Sequence, residues 1–95
     1  MSEKSKSRVL IIAGSDSGGG AGVQADIKTV TMLGGYAMTA VTAITVQNTI
    51  GVTNVHEVPP QIVREQIEAV MGDLGAEVWK LGMLGGADHV RTVLA

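Results

Sequence analysis

The sequence has 95 residues, 45% of them hydrophobic, with 7 Lys and Arg against 9 Asp and Glu for a formal net charge of −2. That length allows one domain at most, and the balance of apolar to charged residues belongs to chains that fold around a core. So little positive charge and only 2% aromatic residues exclude a nucleic-acid partner, and the absence of Cys excludes disulfides, thiolate zinc sites and thiol nucleophiles.

Residues 1–7 are polar, charged and aperiodic, which predicts a disordered N-terminal extension before a folded region spanning residues 8–95. Val9-Leu10-Ile11-Ile12-Ala13 is a branched apolar run of strand length. It is too short for a signal-peptide core or a membrane span, so no membrane partner is expected and the expected compartment is the cytoplasm. The run leads into a glycine-rich loop, Gly14-Ser15-Asp16-Ser17-Gly18-Gly19-Gly20. From Ala21 the apolar period becomes helical, with Val23, Ile27 and Val30 on one stripe and Gly34-Gly35 as the stop.

Residues 36–46 read as a second strand whose two faces are both mostly apolar or Thr, which predicts cover on both sides. Gln47-Asn48-Thr49-Ile50-Gly51 breaks the run, and residues 52–58 read as a short strand or an extended connection. Pro59-Pro60 marks the start of a second helix, with Val63, Ile67, Val70, Met71 and Leu74 on one face and Gly72 and Gly75 ending it. Residues 77–81 form a third short strand, Gly82-Met83-Leu84-Gly85-Gly86 a second glycine-rich loop, and Val90, Val93 and Leu94 belong to a helix beginning near Asp88.

Such alternation of strand and helix implies an α/β fold with a parallel sheet, in which ligands gather at the carboxyl ends of the strands. Three segments fall at such ends: residues 14–21, 47–51 and 82–86. The first glycine loop invites an anion, because successive backbone N–H groups before a helix favour negative charge. It fails the Walker A template, since no Lys follows the glycines until Lys28. It fits the dinucleotide fingerprint poorly too, because the second strand ends in Gln47 where an acidic residue would grip a ribose. A tight strand-to-helix turn and a ligand contact both remain open for it.

Gln47 follows a long apolar strand, and its amide carries a donor and an acceptor side by side, which suits either a sheet-end hydrogen bond or the edge of a heterocycle. Asp16 reads as a turn residue, and Asp26 as a carboxylate at the border of the first helix's apolar stripe. Lys28 reads as an exposed helix residue, and Lys80 as either a snorkelling side chain or a site cation. Met83 could be a pliable pocket wall or core packing. His56 and His89 lack the spaced partners of a metal site, and Ser15 and Ser17 lack a nucleophile elbow.

Ile12-Ala13-Gly14-Ser15-Asp16-Ser17-Gly18-Gly19-Gly20-Ala21-Gly22-Val23-Gln24-Ala25-Asp26-Ile27-Lys28-Thr29 closely resembles the N-terminal signature of hydroxymethylpyrimidine/phosphomethylpyrimidine kinases, the thiamine-biosynthesis branch of the ribokinase-like superfamily. Gly35-Tyr36, Thr42-Ala43, Val46-Gln47-Asn48-Thr49, Gly51-Val52 and Lys80-Leu81-Gly82-Met83-Leu84 follow in the same order and spacing, so the resemblance covers residues 8–95. It implies the N-terminal, substrate-binding part of a three-layer ribokinase-like sandwich, with a mostly parallel sheet and helices on both faces. It also implies transfer of the ATP γ-phosphoryl to 4-amino-5-hydroxymethyl-2-methylpyrimidine and then to its monophosphate, with Mg²⁺ as metal. Carried over by position, Gln47 would hold the aminopyrimidine, and Gly14, Asp26 and Met83 would line the same pocket. The catalytic residues and most ATP contacts are implied beyond Ala95, so the 95 residues alone are expected to be inactive; a homodimer is among the states the resemblance allows.

Pyridoxal and pyridoxine kinases share the N-terminal signature but depart from Gln-Asn after the second long strand, so Gln47-Asn48 favours the pyrimidine. A non-catalytic small-molecule binding module is a further alternative, and a dinucleotide-binding half-domain ranks last.

Overall fold

In the computed structural model, which describes residues 7–82, the chain runs β1 (Arg8–Asp16), α1 (Gly22–Met32), β2 (Tyr36–Gln47), β3 (Val52–Glu57), α2 (Pro60–Asp73) and β4 (Val78–Leu81). The strands form one sheet in the order β3-β2-β1-β4. β1 is central and parallel to both β2 and β4, while β3 returns antiparallel to β2. The sheet is therefore mixed, mostly parallel as expected, with β3 as its one antiparallel strand among the described residues. Only residues 48–51 separate β2 from β3, too few for a crossover, so the chain must turn back. Asn48 makes that turn: its Oδ1 accepts the N–H groups of Ile50 at 2.8 Å and Gly51 at 3.3 Å.

The two-residue period of β1 sends Leu10 and Ile12 to one face and Ile11 and Ala13 to the other. α2 covers the first face, where Ile67, Val70 and Ala76 pack on Leu10, Ile12, Met38 and Ala40. α1 covers the second, where Val23 and Val30 meet Ile11, Ala13, Ala37 and Val41. The result is three layers with a helix on each side of the sheet. Leu10, Ile11 and Ile12 are fully buried, each contributing about 1.5–3 kcal/mol of hydrophobic stabilisation.

Cover does not extend along all of β2. Ile44 and Val46 are 52% and 56% exposed, against the expectation of two covered faces: the register shift puts Ile44 beside Ser15 on the α1 side, past Ala13 and Val41 where the α1 packing ends. Ile27, Met71 and Leu74, placed on helix stripes, also lie at the exposed margin, and Val23 and Val63 are the buried anchors of their helices. Gly72 falls inside α2, which stops at Asp73; Gly75, at φ +68°, donates its N–H back to the Val70 carbonyl. Where β2 lacks a neighbouring strand, the Gln66 side chain substitutes for one. Its Oε1 accepts the Val41 N–H at 2.8 Å and its Nε2 donates to the Val41 carbonyl at 2.9 Å.

No helix among the described residues is long and apolar enough to cross a membrane. Residues 1–6 of the expected extension, and the expected loop and helix over residues 83–95, lie outside the described residues.

Candidate functional site

β1 does not end at Ala13. Its register with β2 shifts between Ala13 and Ser15, and pairing then continues to Asp16 opposite Thr45. The extra residue is in β2, where Thr42 and Ala43 stand opposite the single residue Gly14, and with β1 continued to Asp16 the glycine loop shortens to residues 17–21. Asp16 is only 6% exposed, and its carboxylate organises that loop. Oδ1 accepts the Gly18 N–H at 2.8 Å, and Oδ2 accepts the N–H groups of Gly20 at 2.9 Å and Ala21 at 2.8 Å. The amides that could have cradled a phosphate thus face a carboxylate supplied by the chain itself, at the start of α1 where negative charge is favoured. Lys28 closes the loop from the helix, donating from Nζ to the Gly19 carbonyl at 2.9 Å. Gly22 must be glycine: φ is +60°, and a Cβ there would collide with the Gly14 carbonyl oxygen.

The loop is tied to the end of β2. Ser17 Oγ accepts the Gln47 N–H at 2.7 Å and donates to the Gln47 carbonyl, fixing the backbone from which the Gln47 side chain projects. Between these strand ends lies a cavity of about 370 Å³. Gly14, Asp16, Asp26, Thr45, Gln47 and Lys80 are among its walls. Asp26 reaches it from α1 and Lys80 from β4, and the two meet as an ion pair at 2.8 Å, with the Asp26 side chain 20% exposed. Thr45, buried in β2, places its Oγ1 2.7 Å from the Ser15 carbonyl oxygen and 3.0 Å from Gln47 Oε1. Gln24 braces the end of β1, accepting the Asp16 N–H on Oε1 and donating from Nε2 to Ser15 Oγ, both at 2.8 Å.

Of the residues that the sequence singles out, Gln47, Gly14 and Asp26 are brought to this one cavity, and Met83 lies outside the described residues. Lys80, open between two readings, faces the cavity as a cation paired to Asp26. Thr45 and Gln24 are not legible in sequence. Thr45 sits in a run of alternating Thr and apolar residues, and nothing in that pattern separates it from Thr39 or Thr42. Among the described residues no group of three or more His, Cys, Asp or Glu could hold a metal ion, and His56 lies exposed on β3.

A sequence profile described as phosphomethylpyrimidine kinase matches residues 16–95. The hydroxymethylpyrimidine/phosphomethylpyrimidine kinase of Mycobacterium tuberculosis is 59% identical over 88 residues, which is 93% of this chain and 32% of that protein. Among solved structures, the phosphomethylpyrimidine kinase of Clostridium difficile 630 superposes with a TM-score of 0.89 at 45% identity, over 94% of this chain and 38% of that one. The pyridoxal kinase of Staphylococcus aureus, solved with AMP-PCP and pyridoxal, superposes with a TM-score of 0.84 at 36% identity, over 94% and 33%. The chain thus spans about a third of the length of these proteins. The mixed sheet between helices is the corresponding part of a ribokinase-like fold, and with the profile spanning most of the sequence, this chain belongs to the phosphomethylpyrimidine kinase family.

Proposed function

We propose that this chain supplies the substrate-binding side of a kinase that moves the γ-phosphoryl group of ATP to 4-amino-5-hydroxymethyl-2-methylpyrimidine and then to its monophosphate, in thiamine biosynthesis. The observation that carries this reading is the convergence of Gln47, Asp26 and Gly14, from three elements, on one cavity of a size suited to a small heterocycle. The Gln47 amide offers the donor and acceptor pair that the ring nitrogen and exocyclic amine of an aminopyrimidine require. Asp26, held by Lys80, offers an acceptor for a substrate N–H or O–H. Gly14 lets the ring approach the backbone, and Met83 completes the set.

ATP and Mg²⁺ belong to the same proposal, but the described residues do not fit either group. The loop amides are already bonded to Asp16, and among the described residues no group of three or more His, Cys, Asp or Glu is gathered to hold a metal ion; of the two carboxylates that line the cavity, Asp16 is taken up by the loop and Asp26 by Lys80. The part of these residues is positioning: they hold the substrate in one orientation, which is a large share of what phosphoryl transfer asks of a protein. A homodimer in the cytoplasm is part of the same reading; the exposed Val52 and Val55 on β3 offer apolar area for a second subunit.

Pyridoxal is the second reading, favoured by the similarity to the S. aureus enzyme, and Gln47 separates the two. Gln47→Ala in the full-length product of the gene is expected to cost about 1 to 3 kcal/mol of pyrimidine affinity, the scale of an unpaired polar partner. Pyridoxal affinity should change less. An unchanged kcat/KM for the pyrimidine overturns the assignment.

A further inference from the structure

We propose that Thr45 sets the order in which Gln47 presents its donor and acceptor, and so selects a 4-amino over a 4-oxo pyrimidine edge; this rests on the reading of Gln47 as the heterocycle contact. The Thr45 hydroxyl has two oxygen neighbours, the Ser15 carbonyl at 2.7 Å and Gln47 Oε1 at 3.0 Å. A hydroxyl has one proton, so it cannot donate to both. The Ser15 carbonyl is an acceptor only and is the nearer, so it takes the proton. An oxygen of Gln47 facing Thr45 would then set lone pair against lone pair. The amide removes that conflict by a half turn, which exchanges oxygen and nitrogen with almost no change of shape. Nε2 then donates to Thr45 Oγ1, and Oε1 and the second N–H are left for the cavity.

The carbonyl that takes the proton is itself held in place. Gln24 must turn Oε1 to the Asp16 N–H, which can only donate, and its Nε2 then reaches Ser15 Oγ. Ser17 holds the Gln47 backbone on both its N–H and its carbonyl. Donation thus runs from Asp16 through Gln24 to the Ser15 hydroxyl, and from Gln47 through Thr45 to the Ser15 carbonyl, so both arms end on Ser15 and each amide has one orientation that satisfies its neighbours. A 4-aminopyrimidine presents a ring acceptor beside an exocyclic donor, and a 4-oxo ring presents the reverse. With the 5-hydroxymethyl group fixing which way round the ring sits, the reversed edge would need Gln47 turned back onto a hydroxyl whose proton is committed. Thr45 is thus a positioning residue that acts through Gln47.

The test uses the full-length gene product and calorimetric Kd values for 4-amino-5-hydroxymethyl-2-methylpyrimidine and its 4-oxo counterpart. The unmodified protein is expected to prefer the amino ring by about tenfold or more, Thr45→Val to narrow that ratio by about tenfold, and Thr45→Ser, which keeps the hydroxyl, to retain it. The ratio is internal to each variant, so a general loss of stability does not mimic the effect. Should Thr45→Val fail to fold, an NOE in the unmodified protein from the Gln47 side-chain N–H to the Thr45 methyl reports the same geometry. An unaltered ratio in Thr45→Val, no amino preference in the unmodified protein, or absence of that NOE from an assigned amide overturns the role of Thr45. Gln47→Ala separates the two ideas: unchanged amino-ring affinity there removes the reading of Gln47 itself, whereas a loss there with an intact ratio in Thr45→Val removes only Thr45.

Discussion

Asp16 is the residue on which the shape of the first loop depends, and its replacement has a magnitude that can be worked from the bonds. Three N–H groups donate to its carboxylate at 2.8 to 2.9 Å. Bonds to a charged group are worth about 1.5–3 kcal/mol each, but Gly18, Gly20 and Ala21 are exposed, so water takes over part of the loss. About 1 kcal/mol per bond is the reasonable scale, giving about 3 kcal/mol for Asp16→Ala. Asp16→Asn differs in a specific way. The amide oxygen can take the Oδ2 position and keep Gly20 and Ala21, but the NH₂ group then faces the Gly18 N–H, donor against donor at 2.8 Å. One bond is lost and a repulsion is added, for about 1–2 kcal/mol. Urea unfolding of the full-length gene product, with unchanged m-value, measures both. Because Ser17 in the same loop holds Gln47, pyrimidine affinity should fall in the same order. Asp16→Asn within about 0.5 kcal/mol of the unmodified protein, or Asp16→Ala no worse than Asp16→Asn, would refute the reasoning.

Other substitutions test neighbouring parts of the structure. Gly22→Ala forces a side chain into a left-handed conformation and against the Gly14 carbonyl oxygen, and should cost at least about 2 kcal/mol by thermal melting, while Gly51→Ala, with open space around it, should change little. Ile12→Ala empties a fully buried position between β1 and α2 and should cost about 2–5 kcal/mol in the same melt. Lys80→Met breaks an ion pair whose Lys side chain is 50% exposed, so stability should shift by less than about 1 kcal/mol. Pyrimidine Kd should nevertheless rise severalfold, because Asp26 loses the group that aims it; equal loss of stability and affinity would mean that the pair is structural only.

The period-two and period-3.6 patterns of this sequence were enough to place both helices and the strands flanking them, because burial of one face leaves its spacing in the residue order. The signature from Ile12 to Thr29 carried the family, and the position of Gln47 at the end of an apolar strand marked it for a role. What the pattern reports is which face a residue takes, and it says nothing of who stands opposite. The return of β3 depended on the length of a turn, and the exposure of Ile44 and Val46 on a register shift and on where the α1 packing ends. The glycine loop read alike as anion cradle or turn until the fold placed the Asp16 carboxylate on its amides. Lys80 and Asp26 are 54 positions apart, and Thr45 and Ser15 are 30. Hydrogen bonds and ion pairs act over a few ångströms between atoms that residue order does not bring together, so the pocket's polarity was decided only when tertiary structure set the strand ends side by side.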